Sequence, residues 1–214
     1  MQHLSEAASL SIMFGVVVLA AGQSSRMGRP KLLLPWGNTT VLGHLIRQWQ
    51  ELGAGQVAVV CAAGDAAIHA ELDQLGLAAD QRIINPAPER GMFSSVQAAA
   101  RWTGWRSDLS HWGIVLGDQP HLPRETLNRI IQFSAAHPDQ ICVPWQGGHR
   151  RHPVMLPGAA FLPLANSKAS DLKQFLDDPP VEVEFCEIND PALELDIDRP
   201  EDYEKAVRMF LRKN

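Results

Sequence analysis

Cysteine is scarce. Cys61, Cys142 and Cys186 are the three in 214 residues, and none stands in C-x-x-C spacing. A disulfide framework is therefore excluded. Each cysteine lies in an apolar, strand-like run, so buried free thiols in a reducing cytoplasm are expected. Long hydrophobic runs are missing as well. No apolar stretch reaches the ~18 residues of a membrane span, so no membrane partner is expected. An excess of positive charge is also absent. The 19 Lys and Arg stand against 24 Asp and Glu, for a net charge of −5. Bulk attraction to nucleic acid is thereby excluded, although a local basic site for a phosphate is not. The opening MQHLSEAASLSIM lacks the basic start and long apolar centre of a signal peptide. Residues 1–13 are read as a flexible extension. With no internal repeat, low-complexity tract or linker, 14–214 is read as a single domain.

Short apolar runs alternate with helical patterns. FGVVVLA (14–20), QVAVVCA (56–62), QRIIN (81–85), WGIVLG (112–117) and QICVPW (140–145) predict strands. They are continuous, as in strands covered on both faces. Val41, Leu45, Trp49 and Leu52 recur at helical spacing, and Gly53 is placed to end that helix. Further helices are predicted near 65–76, 94–104, 123–136 and 169–177. The last helix starts near Pro200, with Glu201 and Asp202 at its positive end. RHPVMLP predicts a strand ending at Pro157, and VEVEFCEI (181–188) a strand with one wet face. The fold class is α/β, with a doubly wound, mostly parallel sheet.

The first strand runs into VVVLAAGQSSRMGRPKLLLP (16–35), where small residues meet three cations, Arg26, Arg29 and Lys31. A loop in this place lies at the carboxyl edge of the sheet, where open α/β sheets bind ligands. Ala20, Ala21 and Gly22 allow close approach to the backbone, whose N–H groups can face a phosphate. Arg26 can clamp phosphate oxygens in two parallel hydrogen bonds, and Lys31 adds a compact charge. Neither G-x-G-x-x-G nor a G-K-[ST] ending is present, so this is neither a dinucleotide loop nor a P-loop. A solvated basic surface loop is the plain alternative. Asp118 follows IVLG at the end of another strand, where a turn or cap is the ordinary role and metal binding the functional one.

LAAGQSSRMGRPKLLLP resembles the signature L-A-[AG]-G-x-[SG]-x-R-[MF]-G-x-x-K-x-L of the nucleotidylyltransferases. GMFSSVQAA (91–99), VLGDQPHL (115–122), HPVMLP (152–157) and DIDRPEDY (196–203) follow in the order of the molybdenum cofactor cytidylyltransferase-like branch of the MobA-like NTP transferase family. The resemblance covers about 14–212. It implies a Rossmann-like fold of the nucleotide-diphospho-sugar transferase type, and transfer of a nucleoside monophosphate to a phosphorylated acceptor with release of pyrophosphate.

The implied nucleotide site comprises Leu19, Ala20, Ala21, Gly22, Arg26, Lys31, Ser94, Ser95 and Asp118, with Arg26, Lys31 and Asp118 catalytic. Ser94 and Ser95 equally suit caps at a helix start. Asp118 is the implied Mg2+ ligand, with Mn2+ the alternative ion, and Asp198 the second ligand ahead of Asp196. Where the family has Thr, this chain has Arg199, which makes Asp198 itself a candidate helix cap. Ala21, giving L-A-A-G where guanylyl-transferring relatives have L-A-G-G, leans toward CTP. GGHRRHPVMLP reads as a mobile basic loop in which Arg150 and His152 hold a phosphorylated pterin, with Arg151 standing where glycine is usual. A zinc site at His149 and His152 lacks further ligands. His44 and His137 read as helix-surface residues, and Trp102, Trp105 and Trp112 as packing. A molybdoenzyme receiving the product is the implied protein partner. The alternatives are a nucleotidylyltransferase using GTP or a sugar phosphate, and a non-catalytic cofactor-binding chaperone of the same fold.

Overall fold

A computed structural model describes residues 12–22 and 27–213. Its centre is an eight-stranded sheet. The strands are β1 (Phe14–Leu19), β4 (Gln56–Ala62), β5 (Arg82–Asn85), β6 (His111–Leu116), β7 (Ile141–Gln146), β8 (His149–Arg150), β9 (Val154–Pro157) and β10 (Val183–Glu187). Their order is β10-β7-β9-β6-β1-β4-β5, with β8 paired to β7. The β4–β1–β6 centre is parallel, whereas β9 runs antiparallel to both β6 and β7. A two-stranded ribbon, β2 (Pro35–Trp36) and β3 (Thr39–Thr40), stands apart from the sheet.

The central strands are continuous apolar runs because helices cover both faces. Val16 and Val18 belong to one core layer and Val17 to the other, all at 0% exposure. Each such valine contributes roughly 1.5–3 kcal/mol by leaving water. On the first face lie α1 (Val41–Glu51), α2 (Ala66–Gln74), α4 (Arg124–Ala136) and α7 (Pro200–Lys213). On the second lie α3 (Met92–Arg101), α5 (Gly158–Phe161) and α6 (Leu172–Asp177). Trp102, Trp105 and Trp112 pack in or against this second layer, with Trp112 stacked on Phe161 at 4.6 Å. The three cysteines are buried and free, and burial pushes the Cys61 and Cys142 thiols up to about 11. Among the described residues no helix is long and apolar enough to cross a membrane.

Local signals explain the helix ends. Thr40 accepts from the Gly43 amide at 3.0 Å and caps α1. Gly53, at φ 87°, closes the same helix: its amide reaches the Gln50 carbonyl and the Ala54 amide reaches that of Trp49. In the first turn of α7, Asp202 Oδ2 accepts from the Arg199 and Asp198 amides at 2.9 and 3.2 Å. This is the reach-back half of a capping box.

Several expectations are corrected. Residues 12 and 13 join the body of the protein, because Ile12 packs on the core and the Met13 carbonyl accepts from Ser110 and His111. The helix expected from 94 begins at Met92, and the one expected from 169 begins at Leu172, capped by Asp171. The glycine pair Gly147–Gly148 makes a tight β7–β8 hairpin, both glycines having positive φ, and not a loose loop. In β10 the wet-face pattern fails: Cys186 is buried while Phe185 is 38% exposed. His44 is half-buried between Trp36 and Phe210, and burial lowers its pKa, so it is no simple surface residue.

Candidate functional site

Leu19 and Leu116 are register partners at the carboxyl ends of adjacent parallel strands. The chain leaves both strands at one sheet edge, and that shared edge brings Lys31 to Asp118. Lys31 opens a short 3-10 turn, Lys31–Leu33, on the far side of the glycine-rich loop. Its Nζ lies 2.7 Å from Asp118 Oδ2 and 3.6 Å from Asp198 Oδ1. The contact joins positions 87 residues apart. Gly117 makes the approach possible: a Cβ there would stand 2.7 Å from the Leu19 carbonyl oxygen and 2.7 Å from Leu32 Cδ2.

The carboxylates converge from two segments. The Ile197 amide donates to the Asp118 carbonyl at 3.1 Å, which ties the segment before α7 to the end of β6. Asp196 Oδ1 accepts from Gln119 Nε2 at 2.9 Å. Burial and then the nearby Asp118 carboxylate raise the Asp196 pKa. Asp118 Oδ1 is buried and has no hydrogen-bond partner among the described residues. A buried carboxylate oxygen in that state suits a cation. Magnesium and manganese suit such a site, since Mg2+ commonly takes one or two protein carboxylates and completes its shell with phosphate oxygens and water. Among the described residues no group of three His, Cys, Asp or Glu could hold a metal unaided.

A cavity of about 480 Å3 opens over this edge, lined by Leu19, Ala21, Gly22, Lys31, Ser95 and Asp118 among others. Ala20 lies beneath it, 1% exposed, and its amide is spent on the Val60 carbonyl at 2.8 Å. Ser94 turns away from it. Its Oγ is held by Asn85 at 2.8 Å and bonds to the Gly91 and Ala87 carbonyls, fixing the turn into α3. Ser95 faces the cavity while accepting from Asn85 at 3.0 Å. Arg26 lies outside the described residues. Arg29 is exposed. Pro88, Glu89, Gly91 and Met92 also line the cavity, and no motif of the sequence assigns them to the site. A hint was available in GMFSSVQAA, which carries Gly91 and Met92 ahead of the two serines.

A second cavity, about 590 Å3, adjoins the first through Met92, which lines both. Arg150 and His152 line it, as do Trp145, Phe185, Leu172 and Lys173. Arg150 donates to Asp177 at 2.6 Å, so its charge is already matched. Arg151 turns toward Glu194, at 3.9 Å. His152 Nδ1 lies 3.4 Å from the Ile114 carbonyl, and burial lowers its pKa. The antiparallel course of β9 explains its place. The start of that strand, not its end, lies at the carboxyl edge of β6.

Comparison with known proteins agrees with this architecture. The profile of the MobA-like NTP transferase domain matches residues 16–183. The chain is 27% identical over 198 residues to the molybdenum cofactor cytidylyltransferase of Escherichia coli (strain K12), covering 91% of this chain and 95% of that one. It is 28% identical over 210 residues to the molybdenum cofactor guanylyltransferase of Mesorhizobium japonicum, covering 91% and 94%. The crystal structure of Rv0371c in complex with manganese, from Mycobacterium tuberculosis H37Rv, superposes with a TM-score of 0.64 at 27% identity over 92% of this chain and 99% of that one. The fold is the expected one of the nucleotide-diphospho-sugar transferase type.

Proposed function

The chain belongs to the MobA-like NTP transferase family, and on that premise we propose that it transfers CMP from CTP to the terminal phosphate of a molybdopterin-type acceptor. The observation that carries the reading is the meeting of Lys31 and Asp118, 2.7 Å apart, at the floor of a cavity walled by the glycine-rich loop. A cation and a metal-binding carboxylate side by side are what a triphosphate needs.

The triphosphate lies over Ala21 and Gly22, with Lys31 and Arg26 spreading the charge that develops around the α-phosphorus. The acceptor's terminal phosphate oxygen attacks that phosphorus in line. The bond to the β,γ-pyrophosphate breaks, and pyrophosphate leaves. A phosphate nucleophile is already ionised near neutral pH, so no general base is required. Catalysis rests on positioning and on fixed charge. Asp118, with Asp198 second, would hold a divalent cation, Mg2+ or Mn2+, which when bound neutralises phosphate oxygens. Lys31 has a double role in this scheme: it balances the carboxylates before the nucleotide arrives and the phosphates afterwards. CTP over GTP rests on Ala21, and relatives of both kinds stand at 27% and 28% identity.

The test is pyrophosphate release with each of the four nucleoside triphosphates, Mg2+ and a molybdopterin acceptor. CTP should be strongly preferred. Preference for GTP would refute the cytidine assignment, and silence with all four would refute the enzyme reading in favour of a cofactor-binding protein.

A further inference from the structure

The second cavity has a wall that the phosphate chemistry does not use. Phe185 follows Val183 on one face of β10, and Val181 lies just before that strand. The two valines pack against the core, yet Phe185 leaves 38% of its surface exposed. It meets Trp145 at 4.9 Å between ring centroids and 61° between planes. The Arg150 guanidinium lies 5.9 Å from the same ring centroid. That guanidinium is fixed by Asp177 at 2.6 Å and by the Lys173 carbonyl at 3.4 Å. All three groups line the cavity that Met92 joins to the nucleotide cavity.

We propose that Phe185 and Trp145, with the planar head of Arg150, form a stacking platform that selects acceptors carrying a flat heterocycle. The inference rests on the acceptor reading above and names the residues that enforce it. Two aromatic faces and a guanidinium plane attract a π-system, and aromatic faces stack with any flat ring. A polyol has no π-face to stack on this wall. Because the Arg150 charge is matched by Asp177, the residue acts here as a flat surface more than as a phosphate clamp. A ring seated on the platform has the cavity junction at Met92 on the way to Asp118, so a phosphate tail of modest length is directed at the nucleotide.

Phe185 sits on an edge strand and is partly exposed, so truncating it leaves the fold in place. The experiment is equilibrium binding of a 6-substituted pterin monophosphate, a hexose 1-phosphate and CTP to the wild type, Phe185→Ala and Phe185→Trp. Phe185→Ala should weaken the pterin phosphate by roughly tenfold, the effect of losing one aromatic stacking partner. Phe185→Trp should restore most of that affinity, and CTP should bind all three proteins alike. Equal pterin binding by wild type and Phe185→Ala overturns the platform, as does wild-type affinity for the hexose phosphate matching that for the pterin. The readout is binding without turnover. A tenfold loss therefore supports the platform even if pyrophosphate release fails and the catalytic reading falls.

Discussion

Replacing Lys31 by alanine separates the two roles assigned to it. At 2.7 Å from Asp118 and 3.6 Å from Asp198, the gross attractions are ~6 and ~5 kcal/mol at an effective dielectric of about 20. Desolvation of the ammonium offsets most of this, since the side chain is only 17% exposed. A net loss of about 2 kcal/mol follows, which lowers Tm by about 4–8 °C in a chain of this size. Turnover should fall by roughly 10^2–10^3-fold, because charge at the α-phosphorus loses a preorganised partner. The two losses respond differently to Mg2+. In Lys31→Ala both oxygens of Asp118 are open to the cation, so saturating Mg2+ should raise Tm more in the variant than in the wild type. At 100-fold above Kd the gain reaches ~2.7 kcal/mol. Differential scanning calorimetry with and without Mg2+, beside the pyrophosphate assay, reads all three effects. Wild-type turnover in the variant, or a Tm that neither falls nor responds to Mg2+, refutes the reasoning.

Two further outcomes can be checked. Gly117→Ala forces a methyl against the Leu19 carbonyl oxygen, a backbone atom that cannot rotate away; about 1–3 kcal/mol of stability should be lost, together with nucleotide affinity, as read by chemical denaturation and CTP titration. An unchanged denaturation midpoint would contradict the close approach of the two loops. Burial holds the His111 imidazole below its ordinary value, although the Pro138 carbonyl and Asp139 pull the other way. The folded state therefore binds fewer protons than the unfolded chain below about pH 6.5, so stability is full above that pH and lost as pH falls through it. Thermal melts from pH 7.5 to 5 should show the decline, which a flat profile would contradict.

The parts legible in the sequence are those set by local pattern. β1, β4 and β6 appear within a residue of their expected bounds because a strand covered on both faces must be apolar throughout. Gly53 and Pro200 mark helix ends for reasons of backbone geometry that need no tertiary context. The site is legible in its parts but not in its contacts. Lys31 and Asp118 could be named, yet their meeting depends on β1 and β6 being neighbours. Ser94 and Ser95 are indistinguishable in sequence, and only the helix phase of α3 turns one to the cavity and the other to the loop carbonyls. Arg150 could be read as a free cation because its partner Asp177 lies 27 residues away. Phe185 is not legible as an exposed ring because VEVEF places it in register with the packed valines, and its exposure comes from its position at the sheet margin.

The reversed strand β9 sets His152, just ahead of it, beside the carboxyl half of β6. Residues at the ends of β1 and β6 line the first cavity, and residues of β7, β8, β9, β10 and α6 the second, with Met92 common to both. On the proposed function, the donor and acceptor halves of the reaction would be encoded in largely separate stretches of chain. On that reading, mutations between 145 and 185 would retune what receives the nucleotide while leaving untouched the loop assigned to the donor. A lineage built on this sheet can change its customer without rebuilding its tool.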